Sequence, residues 1–153
     1  MPMTSDTPLQ AAARDGELNA INEFLAQSAA IDARGEYGDT ALNLAAENGH
    51  TEVVARLIEA GANIENVGGA DKTPLMCATF AGHTKIVQML LSKGAQINRD
   101  LLSSLQLKVS ILEENAEDGM VNPAAAEAWQ RFLDFMIEAW NKQNTPAPPG
   151  NSV

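Results

Sequence analysis

Cysteine is nearly missing: Cys77 is the only one among 153 residues. An internal disulfide is therefore excluded, as is any metal site built from several thiolates. Aromatic side chains are scarce as well, at 5% of the chain. Basic residues are few, ten against twenty acidic ones, for a formal net charge of −10. A surface so negative repels phosphate backbones, so nucleic acid and anionic membrane are excluded as partners, whereas a basic protein surface would be attracted. No apolar run approaches the roughly 18 residues of a membrane span. Residues Met1 to Asp6 have neither the basic start nor the apolar stretch of a secretion signal. The expectation is a cytoplasmic protein.

What the chain does have is apolar content of 45%, mostly Ala, Leu, Ile and Val, arranged periodically. Thr7, Thr40 and Thr73 are spaced 33 residues apart. The same step links Leu9, Leu42 and Leu75, then Ala12, Ala45 and Ala78, then Gly16, Gly49 and Gly82. It continues through Ile21, Val54 and Val87; Phe24, Leu57 and Leu90; Leu25, Ile58 and Leu91; and Ile31, Ile64 and Ile97. Chance does not hold so many registers over three units, and such a period signals a stacked array.

The residue types account for each position. A threonine hydroxyl can cap a helix by accepting from a free backbone N–H. Pro8 and Pro74 follow at the first helical position, where a missing N–H costs nothing. Small alanines let neighbouring helices approach closely, and glycines at 16, 49 and 82 suit the left-handed end of a short helix. A second helix follows through Ile21 to Leu25, Val53 to Ile58 and Ile86 to Leu91. Gly61 and Gly94 end it, with Ser28 in the first unit. Asp32 to Asp39 and Glu65 to Lys72 are polar and glycine-rich, which predicts tight extended loops.

Thr73-Pro74-Leu75, Ala45-Ala46, Gly49-His50-Thr51-Glu52-Val53-Val54, Gly82-His83, Gly61-Ala62 and Gly94-Ala95 resemble the ankyrin repeat family. An abbreviated repeat at about 5–35 precedes full ones at about 36–68 and 69–100. The resemblance implies an all-α fold, a solenoid of helix–turn–helix units with projecting hairpin loops, and protein binding on the concave face. The family's usual histidine after Thr-Pro-Leu is here Gln10, Asn43 and Met76, which alters its local hydrogen bonds. Asp71 stands where a turn glycine is common.

Beyond Asn98 the signature fades but helical spacing continues. Leu101, Leu102, Leu105, Val109, Leu112 and Ala116 share one helix face, which Glu117-Asp118-Gly119 interrupts. Asn122-Pro123 then opens a last helix to about Lys142, with Trp129, Phe132, Leu133, Met136, Ile137 and Trp140 along one side. Arrays need atypical terminal units, so a divergent helix pair at 101–142 is expected to close a single domain spanning 1–143. Leu107, Ile111 and Phe135 lie off those main faces, which leaves room for a partner-binding role. The proline-bearing segment 144–153 is expected to be disordered.

No catalytic constellation emerges, and no cofactor or metal is expected. His50 and His83 sit on successive repeats, an arrangement open to a shared metal, but the repeat itself accounts for turn histidines bonded to nearby backbone. Cys77 occupies the register of Ala11 and Leu44 and reads as a small buried residue. Glu113, Glu114, Glu117 and Asp118 cluster at a helix end and read as solvated. Neither calcium-loop nor phosphate-loop spacing is found.

If the family geometry holds, a partner meets loop tips and the exposed sides of the first helices. Those positions are Arg14 with Asp6 and Asp15; Glu36, Tyr37, Asp39, Glu47 and Asn48; and Ala70, Lys72, Phe80 and Ala81. Tyr37 and Phe80 stand out, because aromatic anchors dominate interface energetics. Phe80 has a second reading, as packing beneath the adjacent loop. The expected function is a non-catalytic protein-binding module, monomeric alone and facing a partner with a basic surface. The alternatives are an enzyme's accessory subunit and a protein that self-associates through its aromatic C-terminal helix.

Overall fold

The computed structural model describes residues 6–146 and Gly150. Of the segment expected to be disordered, 147–149 and 151–153 lie outside the described residues, and α8 extends into its start. Among the described residues there are eight α-helices and no strand. The chain divides into two compact units, residues 1–95 and 96–153.

The first unit holds three helix pairs: α1 (Pro8–Asp15) with α2 (Leu18–Ala26), α3 (Ala41–Asn48) with α4 (Thr51–Glu59), and α5 (Pro74–Ala81) with α6 (Thr84–Ser92). The first helices pack in a row, α1 on α3 on α5, and the second helices form a parallel row, α2 on α4 on α6. The alanines make this approach feasible. Ala13, Ala45, Ala46 and Ala78 are wholly buried, where a longer side chain would hold the helices apart. Leu9, Leu42 and Leu75 fill the core one repeat after another. Burying each such side chain stabilises the stack by about 1.5–3 kcal/mol.

Local chemistry begins and ends the first helix of each repeat as the sequence predicts. The hydroxyls of Thr7, Thr40 and Thr73 accept from the backbone N–H three residues on. Gly16, Gly49 and Gly82 adopt left-handed φ of 78°, 81° and 80° at the C-caps. Two of these glycines serve a second purpose. A Cβ on Gly16 or Gly49 would run into the ring of His50 or His83, the histidine of the next repeat. Gly61 and Gly94, at φ 93° and 92°, follow the second helices, and Ser28 takes the same turn at φ 61°.

The second unit is a helix pair, α7 (Arg99–Glu117) packed on α8 (Pro123–Asn144). Asn98 caps α7 by accepting from Leu101 N–H at 2.8 Å. Asn122 caps α8, with Pro123 at the first helical position. Gly119, at φ 74°, turns the chain between them. Of the predicted α7 face, Leu101, Leu105 and Val109 are buried, while Leu102, Leu112 and Ala116 are half-buried. On α8 the core is Ala126, Leu133 and Met136, and the aromatic rings are half-buried around it. Trp129 meets Phe132 edge-on at 5.7 Å, and Phe132 stacks on Phe135 at 6.4 Å. Among the described residues, no helix is long and apolar enough to cross a membrane.

Candidate functional site: the loop tips and the pocket between them

The two interrepeat loops are built alike. Gly35 N–H donates to Asp39 C=O at 2.9 Å, and Gly68 N–H donates to Lys72 C=O at 2.8 Å, closing each loop at the same register. Each loop is tied down by the helix before it. Gln10 donates through Nε2 to the carbonyls of Ala33 (2.7 Å) and Asp39 (3.0 Å). Asn43 donates through Nδ2 to Asn66 C=O (3.4 Å) and Lys72 C=O (3.0 Å). Both side chains also accept from the backbone N–H of the capping threonine, completing a reciprocal cap. Gln10 and Asn43 thus put an amide where the family has its histidine. Met76 has no polar group with which to do either, and α5 keeps only the threonine half of the cap.

Histidines stitch the repeats on the other side. His50 Nε2 lies 2.8 Å from Arg14 C=O, and His83 Nε2 lies 3.0 Å from Glu47 C=O. The partner carbonyl lies 36 residues back in each case, at the end of the preceding repeat's first helix. The bond is therefore to backbone, but between repeats rather than within a turn.

The loop tips converge on a cavity of about 320 Å³, lined by Tyr37, Asp39, Glu47, Gly69, Ala70, Lys72 and Cys77. Tyr37 is 77% exposed at its rim. Asp39 is held by Gly69, whose N–H donates to Oδ1 at 2.8 Å. Neither Asp39 nor Glu47 is neutralised by an ion pair among the described residues. Lys72 extends over the Phe80 ring, its Nζ 5.7 Å from the centroid. Cys77 is 5% exposed at the floor. Burial pushes its thiol pKa up to about 11, helped by the carboxylates of Glu47 and Asp39 and opposed by the Asn43 hydrogen bond and Lys72. At neutral pH it is a thiol, not a nucleophile.

Five of the twelve predicted contact residues thus meet at one pocket: Tyr37, Asp39, Glu47, Ala70 and Lys72. The others stand apart. Glu36 is exposed on the loop tip beside Tyr37. Asn48 is exposed and turns its amide onto Leu44 C=O at 2.8 Å. Phe80 is half-buried under Lys72. Arg14 lies in the first repeat, paired with Asp6. Sequence reasoning missed that Gly69 and Cys77 belong to the pocket wall, because both face it only once the loop folds over α5.

That loop carries backbone strain. Ala70 and Asp71 adopt φ of 54° and 56°, in the left-handed region that side chains disfavour. Asp71 takes the conformation that Gly38, at φ 84°, takes one repeat earlier. Residues held this way cluster at ligand clamps.

Helix pairs repeated at 33 residues, capped by threonine, ended by left-handed glycine and joined by projecting loops define an ankyrin-repeat protein. The family model of ankyrin repeats matches residues 9–100 in three copies, more than half of the chain, and the protein belongs to that family. No curated protein matches it. Ankyrin repeats are generally protein–protein interaction modules.

Proposed function

We propose that this protein is a non-catalytic binding module, an adaptor, inhibitor or assembly factor, that grips a basic protein partner. It does so with its loop tips and the exposed sides of its first helices. The observation that carries the reading is Tyr37: a large ring 77% exposed, on a loop tied to the repeat before it, beside an acid-walled pocket. A rigid, exposed aromatic offers contact area at little entropic cost. The formal charge of −10 would speed encounter with a basic surface at low salt. The reading requires no cofactor and sets the protein in the cytoplasm as a monomer. The α7–α8 pair serves as the divergent terminal unit that a repeat array needs.

Affinity capture from native lysate tests this, comparing wild type with the Tyr37→Ala/Phe80→Ala double variant. The reading expects one partner to be lost or strongly depleted with the variant. Equal capture by both proteins moves the interface elsewhere.

One observation favours a second reading. Leu107 and Ile111 are 62% and 49% exposed on α7, as self-association through the C-terminal helices would require. Light scattering across the micromolar range separates the two: a constant monomer mass removes self-association.

A further inference from the structure

The pocket at the loop tips supports a more specific statement about what enters it. It rests on the reading of the loop tips as a protein-binding surface. At about 320 Å³ the pocket lies at the small end of the range for ligand sites, with room for one inserted group rather than a whole helix. Its walls then define which one. Asp39 and Glu47 bring two carboxylates and Lys72 one ammonium, for a net negative lining. Lys72 is drawn toward the Phe80 ring, and neither carboxylate has an ion-pair partner among the described residues. Asp39 Oδ1 is already fixed by Gly69 N–H, so that carboxylate is oriented before anything binds. Both carboxylates make themselves felt at the pocket floor, where they act on the Cys77 thiol. Tyr37 adds an exposed aromatic ring at the rim.

We propose that this pocket receives a single arginine side chain from the partner protein. A guanidinium is the group that answers all three features at once. It is cationic, it donates several N–H groups in a flat fork to carboxylates, and its plane stacks on an aromatic ring. Glu47 supplies the free acceptor, Asp39 the oriented one and Tyr37 the stacking face. The arginine shortens the list of partners: the contacted segment carries an exposed arginine at its centre, rather than diffuse positive charge.

The test is an amide-resolved NMR titration of the ¹⁵N-labelled protein at constant ionic strength. The probes are Nα-acetyl-arginine amide and Nα-acetyl-citrulline amide, which has nearly the same shape without the charge. The arginine probe is expected to give saturable shifts at Tyr37, Gly69, Ala70 and Lys72. The citrulline probe should bind about tenfold more weakly or not at all, and Glu47→Gln should weaken the arginine probe by about the same factor. Glu47 is exposed, so the substitution leaves the core untouched. Equal shifts from both probes, no shift at the pocket, or an unaffected Glu47→Gln protein would each overturn the arginine assignment. Loss of partner capture by Tyr37→Ala would in those cases still sustain the loop-tip interface, so the two readings fail separately.

Discussion

Asn43 and Lys72, 29 residues apart, are joined by a hydrogen bond of 3.0 Å from the Asn43 amide to the Lys72 carbonyl. The bond fastens the second loop, and with it Ala70 and Lys72, to the start of α3. Gln10 does the same for the first loop through Asp39 C=O. Asn43 itself is buried, at 1% exposure. Asn43→Ala strands the capping threonine's N–H and two loop carbonyls. The expected loss is about 2–4 kcal/mol in urea denaturation, since each buried group left unpaired costs about 1–3 kcal/mol. A loss below about 1 kcal/mol would mean that the loop holds itself.

Ala70 offers the opposite experiment. Its φ of 54° is costly for any residue with a Cβ. Ala70→Gly is expected to raise stability by about 0.5–1 kcal/mol, the strain released less the entropy that glycine adds to the unfolded chain. A fall in midpoint would show the loop is not strained there.

Thr79 is the one buried polar side chain at a position that repeats as alanine, aligned with Ala13 and Ala46. Its Oγ1 is buried without a hydrogen-bond partner among the described residues. Thr79→Val keeps the shape and removes the unpaired oxygen. Denaturation should show a gain of about 1 kcal/mol. A clear loss would mean the hydroxyl has a partner.

The Cys77 thiol titrates above its ordinary value because burial disfavours the thiolate. A folded pKa raised from 9.0 to about 11 makes the native state hold its proton where the unfolded chain has lost it. The stabilisation is therefore full below pH 9 and lost as pH rises toward 11. At about 1.4 kcal/mol per pKa unit it amounts to roughly 2–3 kcal/mol. Cys77→Ala should flatten that part of the stability profile relative to wild type. Native protein at pH 7.5 should also resist iodoacetamide, and rapid alkylation would contradict the burial.

How much of this was legible beforehand follows from how far each feature reaches along the chain. Threonine caps, proline starts and glycine ends act within three or four residues, and the 33-residue step displayed them three times over. Even Tyr37 could be placed, because a loop tip between two strong helical patterns has little to bury it. The links across repeats were not legible. That His50 reaches Arg14 and Asn43 reaches Lys72 depends on the stacking distance between repeats, which no local pattern encodes. Nor was depth legible along the aromatic stripe of α8: Trp129, Phe132 and Trp140 share a face with Leu133 and Met136 but are only half-buried, because large rings overhang a narrow helix–helix seam.

Tyr37→Ala should weaken a captured partner by about 2 kcal/mol or more, roughly thirtyfold, while shifting stability by less than about 0.5 kcal/mol. Raising salt from low to physiological levels should weaken binding further. Calorimetric titration reads both; salt-independent affinity would make the acidic surface incidental.

Hydrogen exchange of the partner complex addresses the interface itself. New protection is expected over residues 36–39 and 69–72, with residues 99–144 unchanged. Protection confined to 99–144, with both loop tips exchanging as in the free protein, would contradict it.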